Sequence, residues 1–197
     1  MDIQLVRAVQ QENAQLKDEV SHLRDYVHSL QLLYHAIQQL LSAKDIMPLL
    51  DKTLYYAVTV LDARDGALLL TDEEKDELVF VLVQGTVQER LPGYRISRKE
   101  GIAGWVAEHR EPAVVNNVRA DPRFSGKVDQ AFKFQTDSMV CVPLVARGRV
   151  LGVIEVLNKS GGQGFTEADQ DLLSILALFA AIALDDLAHM PEEKARA

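Results

Sequence analysis

The segment GIAG at residues 101–104 is one of two features of this sequence with the chemistry to bind a ligand. It begins a helix that the pattern predicts from residue 101 to residue 110. The first N–H groups of a helix lack intrahelical partners and carry partial positive charge, so they favour phosphate or another anion. The two glycines could instead only tighten the turn and allow Trp105 to pack. The pattern leaves both interpretations open.

The second feature is a carboxylate inside an apolar strand. Glu155 lies between Ile154 and Val156 in the predicted strand Val150–Leu157. A carboxylate that is buried without a partner is costly, so Glu155 is either buried at that cost or an outward-facing residue of a half-buried strand. Side-chain alternation along a strand is compatible with both positions.

Residue groupings typical of catalysis are absent from the sequence. The one cysteine, Cys141, lies in an apolar strand and cannot complete a thiol–disulfide cycle within one chain, so we interpret it as a core residue. No Ser-His-Asp arrangement or phosphate-binding loop is present, and the histidines lack the spacing of metal ligands. We therefore expect no enzymatic activity, no metal site and no cofactor.

Composition restricts the partners of the protein. Its 197 residues include 29 acidic and 21 basic side chains, with a net charge of −8 and no cluster of Lys and Arg. We therefore expect no nucleic-acid binding. The sequence has no secretory leader and no apolar run of membrane-spanning length, so we expect no membrane association. A single cysteine fits a reducing compartment, which predicts a cytoplasmic protein.

A heptad repeat over residues 3–41 predicts a coiled-coil helix and a homodimer. Mostly β-branched residues at a, mostly Leu at d and one Asn at a favour two parallel strands. Glu12 can meet Lys17 of the partner, and Glu19 can meet Arg24, which pairs opposite charges. The a positions are Val6, Asn13, Val20, Val27, Tyr34 and Leu41, and the d positions are Val9, Leu16, Leu23, Leu30 and Ile37.

From about residue 30 the apolar face of this helix widens, so it needs more than one partner helix. The predicted helix over 166–188 has apolar residues on two sides, one for a sheet and one for a neighbouring helix. We expect the coil to open into a four-helix bundle that includes the carboxy-terminal helices. The predicted homodimer thus uses residues 3–41 and the carboxy-terminal helix.

Between these helices the patterns predict an α+β domain with an antiparallel sheet flanked by helices. Strands and helices do not alternate strictly, which argues against a doubly wound sheet. We expect a dimerisation helix at 1–42, a domain at 43–190 and a polar tail at 191–197. Proline lacks a backbone N–H, so Pro143 predicts that the strand 138–146 lies at an edge of the sheet or contains a bulge. The predicted helices are 46–62, 101–110 and 128–134, and the predicted strands are 66–71, 78–83, 113–115, 138–146 and 150–157.

The stretch GVIEVLNKSGGQGFTEAD carries a family resemblance. It places Asn158 and Lys159 at the end of a strand, and Phe165 and Asp169 at the start of a helix. This arrangement resembles the Asn-Lys…Phe…Asp-Glu signature of GAF domains, with Gln170 in the last position. The same residues also suit a strand end that is pinned to a capped helix. Within the family we expect them to brace the rear of the pocket and not to contact the ligand.

The resemblance covers about residues 65–186. GIAGWVAEHREPAVVNNVRADPRF, FQTDSMVCVPL and RVLGVIEVLNK follow the phosphodiesterase-type pattern in order and spacing. It implies a GAF/PAS-like fold and a pocket between the sheet and the segment that precedes the fourth strand. A cyclic nucleotide is then the leading ligand class. The residues that the resemblance assigns to the ligand are Ala67, Val83, Gln84, Ile102, Ala103, Asp129, Phe132, Thr136 and Glu155.

Two of these residues depart from the family pattern. Gln84 stands where some cyclic-nucleotide binders have an acid, and Phe132 stands where a small hydroxyl residue is common. The sequence therefore supports three functions. The first is a dimeric sensor that transmits its ligand state through its terminal helices to an effector domain or a partner. The second is a structural dimerisation module with a vestigial pocket, and the third is a GAF-fold oxidoreductase.

Overall fold

The structure, a computed structural model, describes residues 3–189, apart from the side chains at positions 3, 5, 6 and 8. The predicted a residue Val6 therefore lies outside the described side chains, and the predicted tail 191–197 lies outside the described residues. The helices are α1 (Ile3–Leu41), α2 (Ile46–Val60), α3 (Gly101–His109), α4 (Lys127–Phe132) and α5 (Glu167–Ala188). The strands are β1 (Ala63–Asp72), β2 (Glu77–Gln84), β3 (Arg95–Ser97), β4 (Ala113–Val115), β5 (Met139–Ala146) and β6 (Arg149–Lys159).

All six strands form one antiparallel sheet in the order β3-β2-β1-β6-β5-β4, which confirms the predicted α+β class. Pro143 of β5 lies beyond Cys141, the last β5 residue that pairs with β4, and just before a bulge at Leu144/Val145. Strand β4 therefore has no carbonyl opposite Pro143 that would need the N–H that proline lacks. Strand β3 was not predicted, because three residues are too few for the alternation of a strand to be recognised in the sequence.

Both faces of the sheet are covered, which explains why β6 reads as an almost continuous apolar run. Alternate side chains of a strand point to opposite faces. Leu68, Val140 and Ile154 belong to the core beneath α1, α2 and α5. Ala67, Cys141 and Val153 belong to a second core beneath α3 and its neighbouring loops. The two cores place helical packing on one side of the sheet and the candidate site on the other.

The second half of α1 joins the domain. Leu33, Ala36 and Leu40 are buried in the core shared with α2 and α5. The widened apolar face thus packs on α2 as well as on the predicted carboxy-terminal helix. The heptad residues Leu23 and Leu30 remain 57% and 40% exposed. Among the described residues, no helix is both long enough and apolar enough to cross a bilayer.

Strand β6 is tied to α5 at both of its ends. At the carboxyl end, Lys159 pairs with Asp169, which also forms a capping box with Thr166 at the start of the helix. At the amino end, Arg149 Nη2 lies 3.1 Å from Asp185 Oδ1 near the end of the helix. Asp185 is 2% exposed and also pairs with Arg147 at 2.9 Å. Two separate charge clusters therefore fix one helix to one strand.

Candidate ligand-binding cavity

A cavity of about 80 Å³ lies between the sheet and α3, beneath residues 124–136, here termed the cover segment. One buried water needs roughly 10–15 Å³ in this measure, so the space holds several water-sized groups. Of the nine residues that the resemblance assigns to the ligand, eight line this one cavity: Ala67, Val83, Gln84, Ile102, Ala103, Asp129, Thr136 and Glu155.

Phe132 is the exception, and its assignment to the ligand stays a prediction. Its ring packs edge-to-face on Tyr94, with centroids 5.1 Å apart and planes at 87°, and does not line the cavity. Helix α4 ends at Phe132, and Lys133 in the left-handed region (φ 54°) turns the chain. Phe134 then lines the cavity in its place.

Asp129 and Thr136 hold the cover segment together. The Asp129 carboxylate accepts hydrogen bonds from the Thr136 amide at 3.0 Å, the Thr136 hydroxyl at 2.8 Å and Arg119 Nη2 at 2.6 Å. A buried carboxylate with three donors is satisfied without a ligand. These two residues therefore fix the shape of the cavity wall, and Asp129 has no unmet need for a ligand donor.

Glu100, which sequence reasoning missed, links the start of α3 to the cover segment. Its carboxylate accepts from the Ser125 hydroxyl at 2.7 Å and from Lys127 Nζ at 2.9 Å. These two hydrogen bonds hold the pKa of Glu100 below its usual value. The partners lie 25 and 27 residues away, so local sequence patterns give no signal for the link. It closes one side of the cavity.

Asp65 closes the opposite side, at the turn that follows β2. Its carboxylate accepts from the Thr86 amide at 2.9 Å, the Thr86 hydroxyl at 3.0 Å and Asn158 Nδ2 at 3.3 Å. Gly85 has a φ of +105°, and a Cβ there would lie 2.3 Å from Asp65 Oδ1. Glycine is thus required at this position for the turn and for the close approach.

Glu155 lies on the floor of the cavity, which decides between the two positions that the sequence left open. It pairs in register with Ala67 of β1 and Cys141 of β5, and it is 7% exposed. Among the described residues no hydrogen-bond donor reaches its carboxyl group. Burial, and then the negative charge of Asp129, raise the pKa of Glu155 to about 7. Burial, and then the charge of Glu155, also raise the pKa of the Cys141 thiol.

The start of α3 faces the same space. Gly101 opens the helix with a φ of +74°, and Glu100 at the N-cap position makes no side-chain capping bond. Gly101, Ile102 and Ala103 all line the cavity. The first amides of a helix lack intrahelical partners, so the cavity has an electropositive wall opposite its acidic floor.

The motif residues lie outside the cavity lining. Asn158, at φ 58°, accepts from the Asp137 amide at 2.9 Å and donates to the Gln135 carbonyl at 3.0 Å. Phe165 is buried, and its backbone forms two hydrogen bonds with the Asn116 side chain. With Lys159 and Asp169, these residues connect the end of β6 to the cover segment and to α5. Their bracing role in solution stays a prediction.

Other lining residues were not identified from the sequence. Val87 and Leu91 are four residues apart, which is helical spacing, but the segment lies between two strands and has no other helix signal. Within the described part of the chain, no group of acidic, His and Cys side chains could hold a metal ion. The remaining lining residues are Gly66, Phe80, Ile96, Phe124, Val128, Met139 and Leu157.

Comparison with known families identifies the fold. A family model described as "GAF domain" matches residues 43–185, which is well over half of the chain. The chain belongs to the GAF domain family. The match begins where α1 has ended and continues almost to the end of α5. It therefore contains every strand and the whole cavity of the GAF domain.

Relatives of this GAF domain include cyclic nucleotide phosphodiesterases. A probable 3′,5′-cyclic phosphodiesterase of Caenorhabditis elegans is 30% identical over 142 residues, which are 68% of this chain and 19% of the relative. A dual 3′,5′-cyclic-AMP and -GMP phosphodiesterase of Drosophila melanogaster is 28% identical over 167 residues, which are 78% of this chain and 12% of the relative. The chain thus spans less than a fifth of each relative.

Solved structures share the fold at lower identity. The GAF domain of a phosphoenolpyruvate-protein phosphotransferase from Coxiella burnetii has a TM-score of 0.74 and 19% identity, with 82% of this chain and 95% of that chain covered. A free methionine-R-sulfoxide reductase from Neisseria meningitidis, in complex with its substrate, has a TM-score of 0.71 and 23% identity, with coverages of 83% and 92%. These likenesses concern the fold alone.

Proposed function

We propose that this GAF domain is a sensor that binds a small molecule in the cavity beneath the cover segment. One observation carries the proposal: Glu155 lies on the cavity floor, 7% exposed, and no donor among the described residues reaches it, a costly arrangement that a ligand donor would relieve. A cyclic nucleotide is the leading ligand class, since relatives of the chain are named as cyclic phosphodiesterases. The amides of α3 would then face its phosphate.

The sensor acts as a parallel homodimer through α1. Val20, Leu23 and Val27 are 45%, 57% and 51% exposed in the single chain. Apolar residues at heptad positions become buried when two such helices pair. On α5, Ile175, Leu178 and Ile182 are also exposed, so this helix has a second apolar surface for a partner helix. Helix α5 packs on the sheet and α1 packs on α5, so the two helices are placed to carry a signal from the domain to an effector.

Ligand binding changes the signal only if it favours one arrangement of the cover segment over another. Glu100 holds Ser125 of that segment and Arg119 holds Asp129, so contacts from outside the segment keep it over the cavity. A ligand in the cavity touches the cover segment and strand β6 together, and β6 is tied to α5. The sensor therefore couples the state of the cover segment to the helices through one strand.

We also propose that the domain is not an enzyme. The fold neighbour named as a methionine sulfoxide reductase raises the oxidoreductase alternative. Cys141 is fully buried, and the raised pKa of its thiol disfavours the thiolate that redox chemistry requires. These properties argue for a core residue.

Calorimetry with cyclic AMP and cyclic GMP tests the sensing function. Ala67→Met places a larger side chain in the cavity, and we expect it to weaken binding by at least about tenfold, or about 1.4 kcal/mol. Ala63→Met, on the same strand and outside the cavity lining, is the matched control and should bind as the parent does. If neither nucleotide binds the parent protein or raises its thermal stability, the dimerisation-module alternative is favoured.

A further inference from the structure

A polar groove lies at one end of strands β1, β5 and β6, next to the cavity. It is here termed the strand-end groove, and its lining includes Arg64, Ser138, Asn158 and the loop 160–164. Asp65 and Leu157, each one residue away along the chain, line the cavity instead. Among the described residues, the two linings have no member in common. The groove is therefore a second space that the sensing function does not use.

The strands bring Arg64 and Ser138 to the same face of the sheet. Arg64 lies four residues before Leu68, and Ser138 lies two residues before Val140. Leu68 and Val140 both belong to the core beneath α1, α2 and α5, and even spacing along a strand keeps side chains on one face. Arg64 Nε donates to the Asn158 carbonyl at 3.4 Å, and the Ser138 carbonyl accepts from the Asn158 amide at 2.9 Å. Arg64 and Ser138 thus lie on either side of the end of β6.

Both side chains have donors without a protein partner. Ser138 is only 8% exposed, yet its hydroxyl forms no hydrogen bond with any residue that the structure describes. Arg64 is exposed, and within the described part of the chain its two Nη nitrogens form neither a hydrogen bond nor an ion pair. A buried hydroxyl without a partner is costly. The groove therefore lacks an acceptor that these two donors could share.

The charges of the strand-end groove also favour an acceptor. Arg64 and Lys159 line it, and Asp137 is the one acid among its described lining residues. Lys159 already pairs with Asp169, and the Asp137 carboxylate already accepts from Gln135 Nε2 at 2.7 Å. The guanidinium of Arg64 is thus available to an anion, although the net charge of the protein is −8.

We propose that the strand-end groove is a second binding site, which holds a phosphate group between the Arg64 guanidinium and the Ser138 hydroxyl. A phosphate group has three strong acceptor oxygens. A guanidinium can donate to two of them in parallel, and a hydroxyl can donate to the third. Gly161 and Gly162 both have a φ of 71°, and a Cβ on either would meet nothing within 4 Å. Space therefore remains beside the loop for the molecule that carries the phosphate.

Inorganic phosphate is the first probe, with the full chain and isothermal titration calorimetry at constant ionic strength. We expect saturable binding that Arg64→Gln weakens at least about tenfold, because a charged donor is lost. Arg7→Gln makes the same charge change at an exposed position of α1 and should bind phosphate as the parent does. Ser138→Ala should weaken binding about threefold or more at an unchanged urea midpoint, because its hydroxyl has no protein partner.

A free phosphate ester and a phosphorylated side chain of a partner protein present the same group. Glycerol phosphate and a capped tripeptide with a central phosphoserine therefore serve as further probes, and the one that binds more tightly identifies the source. Ala67→Met fills the cavity and should preserve phosphate binding. Binding that Ala67→Met abolishes, or that Arg7→Gln weakens as much as Arg64→Gln does, overturns the inference. The absence of saturable binding of all three probes at millimolar concentrations also overturns it, while the sensing function stands.

Discussion

Replacing Glu155 with glutamine should stabilise the ligand-free protein at alkaline pH and have little effect at acidic pH. The folded protein raises the pKa of Glu155 from an ordinary 4.5 to about 7, chiefly by burial. Between these values the folded state keeps a proton that the unfolded state has released. Stability is therefore lost as pH rises through this window, and the loss is complete above about pH 7. A glutamine does not ionise, so its stability lacks this dependence.

The size of the effect follows from the pKa difference. Each pKa unit corresponds to about 1.4 kcal/mol, so ionised Glu155 lowers the free energy of unfolding by about 3 kcal/mol above pH 7. For a chain of this size, that corresponds to about 6–12 °C in Tm. At about pH 5 the same relation gives a difference below about 1 kcal/mol.

Urea unfolding followed by circular dichroism measures both states of Glu155. Titrations at about pH 5 and about pH 8 give the free energy of unfolding by linear extrapolation. The advantage of Glu155→Gln over the parent should grow by about 2–3 kcal/mol between the two conditions. Glu108→Gln, at an exposed position, should follow the parent at both. Parallel pH profiles for the parent and Glu155→Gln would refute the reasoning.

Further predictions concern the residues that brace the end of β6, the Cys141 thiol and the homodimer. Asn158→Ala should lower the free energy of unfolding in urea by about 1–3 kcal/mol, because the Asp137 amide and the Gln135 carbonyl lose their partner, and an unchanged midpoint would contradict this. A double-mutant cycle with Lys159→Met and Asp169→Asn should give a coupling above the roughly 0.2–1 kcal/mol of exposed pairs, because these side chains are only 16% and 11% exposed. Cys141 should react with a thiol reagent only as fast as the protein unfolds, and rapid labelling of the native protein would show that it is accessible. Leu23→Lys should weaken the dimer in sedimentation equilibrium, His22→Lys should not, and a monomeric parent at micromolar concentration would exclude the dimer.

Much of the fold could be predicted because its signals are local. The long heptad pattern marked α1, and apolar runs joined by short polar turns marked the two hairpins that form the centre of the sheet. The features that could not be predicted lie where elements are too short to show a period. Strand β3 has three residues, and the six-residue helix α4 gives no way to tell that Phe132 turns toward Tyr94 while Phe134 lines the cavity.

The residues of the candidate site could be predicted better than their arrangement. Eight residues assigned by resemblance meet at one cavity, but the orientation of Glu155 could not be predicted because both faces of β6 are buried and its apolar run hides the alternation. The closure of the cavity could not be predicted either. Glu100 meets Ser125, and Asp65 meets Thr86, over 25 and 21 residues of chain. Only the folded structure brings such partners together.

The double attachment of α5 to β6 limits how this helix can move. Sliding α5 along its own axis would break the ion pair of Lys159 with Asp169 at one end and the contacts of Arg149 with Asp185 at the other. A twist of the strand meets no such obstacle, because both attachments turn with it. The two attachments therefore oppose a slide of α5 along β6 but allow the strand and the helix to turn together, and this helix has Ile175, Leu178 and Ile182 exposed on its surface.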